Sequence, residues 1–263
     1  MFKLNVLLNS LSRNKRKLLS FSLASIFYVI FLLYVWTLMA DTFSQVLDLF
    51  PDSLKTIAGF GDDLSTAGFL NGEFMHLIGP LIMGAFAITI GATILASEEE
   101  NKTIDQFLAL SISRSRYYTE KYLSLTILIL SLAFIFSLTL FISNFIYDIN
   151  LNFSNIFYSG LCLFIYGTTV GSITFFSGAI FAKVSQSAGI GGGIAIIGYV
   201  FDSVYKTVSS LGYLKYLSLH YYYNDNGVIL NGFDFIHLIV MLSITFSCYL
   251  FGLYIFNKRD IKS

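Results

Sequence analysis

The chain has 263 residues, of which 56% are hydrophobic and only 12% charged, with a formal net charge of zero; soluble domains usually carry about 25% charged residues. That balance argues against a water-solvated domain, and the lack of a basic surplus argues against a nucleic-acid partner. The longest polar connections, 41–73 and 202–234, hold 33 residues each, too few for a nucleotide-binding or hydrolytic domain.

Six stretches of eighteen or more residues contain no Asp, Glu, Lys or Arg: 18–40, 74–97, 122–146, 156–182, 184–201 and 235–256. A helix needs about twenty residues to cross the hydrocarbon of a bilayer, so only 184–201 is marginal. Thirteen of the sixteen basic residues fall before the first stretch, after the second, after the fourth and after the sixth. Because basic flanks stay on the cytoplasmic side, both termini belong there, which requires an even number of crossings. The expected fold is all-α: one polytopic membrane domain over residues 1–263, with six transmembrane helices and cytoplasmic termini.

In chain order, Leu4, Leu7, Leu8 and Leu11 recur at helical spacing and predict an amphipathic interfacial helix ahead of the first span. Arg13, Lys15, Arg16 and Lys17 then mark the inner headgroup level. The first span lacks a small-residue cleavage site, so it reads as a retained anchor and not a signal peptide. The acidic loop 41–73 reads as solvated. In the second span His76 precedes Pro80 by four residues, so the proline should free the His76 carbonyl and kink the helix, with His76 itself at the outer interface.

At the end of that span, Ser97 and Glu100 have capping-box spacing, and Ile104, Phe107 and Leu108 line one face of the short helix that would follow. Such a stripe suits either a membrane surface or a docking protein, and periodicity does not choose between them. Gly167 and Gly171 in the fourth span, and Gly189 and Gly193 in the fifth, have the small-residue spacing of helix packing or a dimer contact. Cys162 and Cys248 lie at different depths and read as packing residues, beyond disulfide reach. The connection 202–234 is rich in tyrosine, which favours the membrane interface, and reads as a segment folding back along the outer surface.

Several reactive patterns fail on inspection. No Gly-Lys-Ser/Thr follows the glycine run 189–193, so no phosphate loop is present. Gly59 to Asp62 and Tyr147–Asp148 carry the short motifs of an intramembrane aspartyl protease, but in the wrong order and in loops. The three histidines show no zinc-site spacing, so no metal ligand set is expected. No charged residue lies within any apolar stretch, which weighs against a proton relay and against an ion-driven transporter.

The run Glu99, Glu100, Asn101, Lys102, Thr103, Ile104, Asp105, Gln106, Phe107, Leu108, followed by Ile112, Ser113 and Arg114, resembles the signature of type-2 ABC transporter permeases. The basic amphipathic lead, Tyr221 to Tyr223, Lys121 and the ending Phe256 to Asp260 are similar to family members too. Two positions depart: Lys102 stands where Gly is frequent, and Ser111 where many relatives have Pro. The resemblance implies an exporter subunit in a bacterial plasma membrane, paired with a second permease chain and with two separate ATP-binding subunits. ATP and Mg²⁺ would bind in those partners, with no cofactor in this chain. Glu99, Glu100, Thr103, Ile104, Phe107, Leu108, Ser113 and Arg114 would form the coupling segment, while His76 and Pro80 would serve the cargo path or a kink. An ion-driven or passive transporter, and an intramembrane enzyme or assembly subunit, are the alternatives.

Overall fold

The computed structural model describes residues 5–47, 49, 51, 65–102 and 112–259. Among them there is no strand, and six helices are long and apolar enough to cross a membrane. These are α1 (Asn5–Leu47), α2 (Thr66–Glu100), α3 (Arg114–Ile146), α4 (Phe153–Phe181), α5 (Val184–Thr207) and, after two short helices α6 (Leu219–Asn224) and α7 (Val228–Asn231), α8 (Phe235–Lys258). The chain is an all-α polytopic membrane protein. Phe27, Phe134, Ile196 and Phe246 point outward and are each more than 60% exposed, as lipid-facing side chains must be when the solvent is hydrocarbon.

Helix α1 contains neither Gly nor Pro and runs unbroken for 43 residues. At 1.5 Å per residue that is about 64 Å, twice the hydrocarbon thickness, so it extends well past the bilayer core. The interfacial helix expected near residues 4–11 is therefore a continuation of the first crossing and not a separate element. The face it buries is mixed: Val6, Ser10 and Asn14 are buried against the bundle, whereas Leu8 is 53% exposed. The rest of the stripe is shared between the two sides, since Leu11 packs against the core while Asn9 and Ser12 stay exposed, and the Ser124 hydroxyl of α3 donates to the Leu7 carbonyl at 3.3 Å.

The expected proline kink in α2 takes another form. Residues Asn71–Ile78 are π-helical, and the Gly79 N–H reaches back five residues to Phe74 O. In that wider register the acceptor opposite Pro80 is the carbonyl of residue 75, so the carbonyl freed by the proline is not that of His76. The helix breaks at Leu95 (φ −113°) and restarts as the short turn Ala96–Glu100. Ser97 does not cap that turn: its hydroxyl donates to the Thr93 carbonyl one turn back, a bond that removes the capping box.

Helix α4 forms the centre and packs against α2, α3, α5 and α8. Its buried face is small or hydroxylic, including Ser159, Gly160, Thr169, Gly171, Ser172 and Thr174. Small residues let helix backbones approach closely where burial alone gives no drive to associate in lipid. A Cβ at Gly91 of α2 would lie 2.8 Å from the Gly171 carbonyl oxygen. Gly91→Ala is thus expected to lose about 1–3 kcal/mol through overpacking, although alanine suits a helix better. Unfolding in graded denaturing detergent measures it, with Gly189→Ala, where a Cβ meets nothing within 4 Å, holding or gaining stability as the control.

Helix α5 is 24 residues long, about 36 Å, and not marginal. Counting it only to Phe201 stopped at Asp202, yet Asp202 is fully buried within the helix and accepts from Lys206 Nζ at 2.9 Å. Beyond α5 the chain folds back as expected. The Ser218 hydroxyl donates to Gly198 O at 2.6 Å and accepts from Tyr221 N at 3.0 Å, laying α6 along the last turns of α5.

Candidate coupling site

Three consecutive glutamates close α2, and consecutive helical residues point about 100° apart. Glu98, Glu99 and Glu100 therefore fan out to three different neighbours. Glu98, 4% exposed, accepts from Lys121 of α3 at 2.6 Å and from Arg13 of α1 at 3.1 Å. The Tyr117 hydroxyl donates to its other oxygen. Glu99 receives the guanidinium of Arg259, just beyond α8, through Nη2 to both carboxylate oxygens, the Oε2 contact at 2.6 Å. Arg259 also donates to Ile180 O at the end of α4 at 3.3 Å, and its carbonyl accepts from Arg114 of α3 at 2.8 Å. Glu100 accepts from the Val184 N–H at 3.1 Å. That N–H opens α5, whose own N-cap Lys183 offers no side-chain bond, so Glu100 supplies the missing acceptor and a charge that suits the helix dipole.

The acidic triplet thus ties the end of α2 to all five other crossings. It also brings both termini and the connections after α2 and α4 to one end of the bundle. Of the residues expected to couple, Glu99 and Glu100 are in this node. Arg114 joins it through Arg259, and Ser113 caps α3 by accepting from Arg116 N at 3.4 Å. Thr103, Ile104, Phe107 and Leu108 lie outside the described residues, as does Gly59 to Asp62. Lys102, at the start of that segment, has φ 55°, a left-handed conformation that glycine adopts without a Cβ penalty.

The four glycines divide. Gly167 and Gly171 pack inside the chain, where added Cβ atoms would come within 3.0 Å of Met83 and Ile129. Gly189 and Gly193 meet nothing within 4 Å, so packing within the described chain does not explain them. Cys162 and Cys248 are both free.

The opposite end of the bundle holds a second polar cluster. His76 is buried within the chain: it is 2% exposed, and its Nδ1 lies 3.3 Å from Nε2 of His220, also 2% exposed. Asp202 Oδ2 is 3.9 Å from the same His220 nitrogen. The spacing of the histidines in sequence gave no ligand set, but folding brings one donor atom from each of His76, Asp202 and His220 within 4.8 Å of one another. Burial, then the nearby His76 and Lys206, push the His220 imidazolium well below its ordinary range, leaving the ring neutral. Alongside lies an apolar cavity of about 240 Å³ lined by Pro80, Leu81, Tyr166, Ile196, Tyr199 and His220.

Residues 11–261 match the family described as ABC-2 family transporter protein, nearly the whole chain. The chain belongs to that family. No curated protein matches it. The ABC-2 protein is accordingly a transport subunit embedded in a membrane and not an enzyme in its own right, of a kind that associates with ABC ATP-binding subunits. The glutamate node stands where α2 ends and the connection to α3 begins. Sequence reading found Glu99 and Glu100 but passed over Glu98, whose partners Arg13 and Lys121 lie 85 and 23 residues away.

Proposed function

We propose that this chain is the permease of an exporter, set in a bacterial plasma membrane with its glutamate node on the cytoplasmic side. It pairs with a second permease chain, identical or related, and with two ATP-binding subunits that hold ATP and Mg²⁺. The observation carrying this reading is the fan of Glu98, Glu99 and Glu100. A push delivered to residues 98–121 reaches α1, α3, α4, α5 and α8 through short ion pairs and hydrogen bonds, with little slack. Inverting a two-state gate from 1:99 to 99:1 takes about 5.5 kcal/mol of differential binding between nucleotide states, a scale that several such contacts can carry. The uncovered Gly189 and Gly193 are the side offered to the second permease chain.

Thr103, Ile104, Phe107 and Leu108 supply the docking face in this scheme. Two apolar anchors of a docked helix are each worth about 2 kcal/mol or more, and 1.4 kcal/mol is tenfold. Phe107→Asp with Leu108→Asp should therefore weaken capture of the ATP-binding subunit by at least about a hundredfold and abolish ATP-driven transport in proteoliposomes. Unchanged capture and unchanged transport would remove the coupling role. The ion-driven alternative needs ionisable groups buried in the spans; Asp202 is such a group, but membership of the ABC-2 family favours the ATP-coupled reading.

A further inference from the structure

We propose that His76, Asp202 and His220 form a binding site for one divalent transition-metal ion of the zinc class, joining α2, α5 and α6 at the end of the bundle opposite the glutamate node. Two imidazole nitrogens and one carboxylate oxygen are a borderline-soft donor set that suits Zn²⁺ or Co²⁺ and disfavours Mg²⁺ or Ca²⁺, which select oxygen. Three protein ligands leave a fourth position for water or another small ligand.

The geometry is close to what such an ion requires. Ligands 2.0–2.1 Å from a tetrahedral centre stand about 3.3–3.4 Å apart. The two imidazole nitrogens are 3.3 Å apart, His220 Nε2 and Asp202 Oδ2 are 3.9 Å apart, and no pair in the trio exceeds 4.8 Å. Side-chain rotation of about an ångström closes the set. The π-helical register of Asn71–Ile78 and the fold-back of α6 on Gly198 are the backbone features that bring the two histidines face to face across 144 residues of sequence.

Asp202 adds an independent sign. Its side chain is fully buried, yet Oδ1 has no hydrogen-bond partner while Oδ2 is held by Lys206 at 2.9 Å. A buried carboxylate oxygen without a donor is costly; the carboxylate already stands beside His220 through Oδ2, and a turn of the carboxyl group that brings Oδ1 onto the ion would satisfy that oxygen while Lys206 keeps the other oriented, as outer partners of metal ligands commonly do. A bound ion would pin α2, α5 and α6 together and close this end of the cavity. The proposal concerns the folded chain alone and does not depend on how transport is driven.

The full-length chain, purified through a tag lacking histidine, treated with a chelator and placed in lipid nanodiscs, can be titrated with Zn²⁺ by calorimetry and with Co²⁺ by visible absorption. Saturable binding of one ion per chain is expected, with the intense ligand-field bands of tetrahedral Co²⁺. His76→Ala, His220→Ala and Asp202→Asn should each weaken binding by about a hundredfold or more, while His237→Ala, which alters a histidine stacked on Tyr221 and Tyr222, should bind as the unaltered chain does. His76→Cys keeps a ligand and should add a thiolate-to-Co²⁺ charge-transfer band, a positive signal that a misfolded protein would not give. Lack of saturable binding by the unaltered chain, or binding undiminished in all three ligand variants, would overturn the proposal.

Discussion

Glu98→Ala is expected to lower the unfolding free energy by about 3–5 kcal/mol, the usual consequence of removing one partner from a buried ion pair. The carboxylate and the Lys121 ammonium are 2.6 Å apart with side chains 4% and 2% exposed, so neither is well screened by water. Without Glu98, a buried cation loses its carboxylate, and the Tyr117 hydroxyl loses the oxygen it donates to. Arg13, 60% exposed, can turn to solvent and contributes little to the loss. The double variant Glu98→Gln with Lys121→Met should recover most of the stability, because apolar or neutral replacement of both charges removes the desolvation problem instead of stranding one half of it. Thermal unfolding of the detergent-purified chain, read by intrinsic fluorescence, separates the cases. A single variant as stable as the parent would mean that Glu98 is solvated in the bilayer-embedded protein and ties nothing together.

The same charges explain what the sequence could and could not reveal. Crossing number and the common end of both termini were legible, because thirteen of sixteen basic residues mark alternate connections and the tails meet α2 through Arg13 and Arg259. The rule that makes this legible, that a charge ends a span, fails where a charge is buried with a partner. It cut α5 short at Asp202, whose counter-ion lies one turn on at Lys206, and it left Glu98 and Lys121 just outside the spans 74–97 and 122–146 although both side chains are buried. The period of the amphipathic lead is helical as expected, but its buried face is rotated from the leucine stripe: Leu11 packs inward while Leu8 faces out and Ser10 faces in. The histidine cluster had no local signal: His76 and His220 meet only because a π-helical stretch and a returning segment converge. Of the residues read from the sequence, Glu99, Glu100 and Arg114 meet at the node through contacts that span up to 160 residues, which no spacing rule encodes, while Ser113 makes only a local cap.

Reversing either member of the Glu99–Arg259 pair is expected to have the largest effect on transport. Glu99 is 2% exposed as a side chain and Arg259 21%, so Glu99→Arg or Arg259→Glu sets two like charges side by side in a largely dry site. The penalty is at least that of breaking a buried pair, about 3 kcal/mol. Against a switch of about 5.5 kcal/mol, losing that much of the link would lower the driven population by roughly a hundredfold, with transport falling to match while ATP is still hydrolysed by the partner subunits. The exchanged double variant, Glu99→Arg with Arg259→Glu, restores opposite charges, but its recovery should be partial. The native guanidinium also donates to Ile180 O at 3.3 Å, and a glutamate at position 259 cannot donate there, so α4 stays disconnected from the node. The Arg114 bond, by contrast, goes to the Arg259 main-chain carbonyl at 2.8 Å and survives the exchange. Rates measured in proteoliposomes should therefore rank parent, double variant, then either single variant. If both single variants moved cargo at the parental rate, force would have to reach α8 by a path that bypasses Glu99.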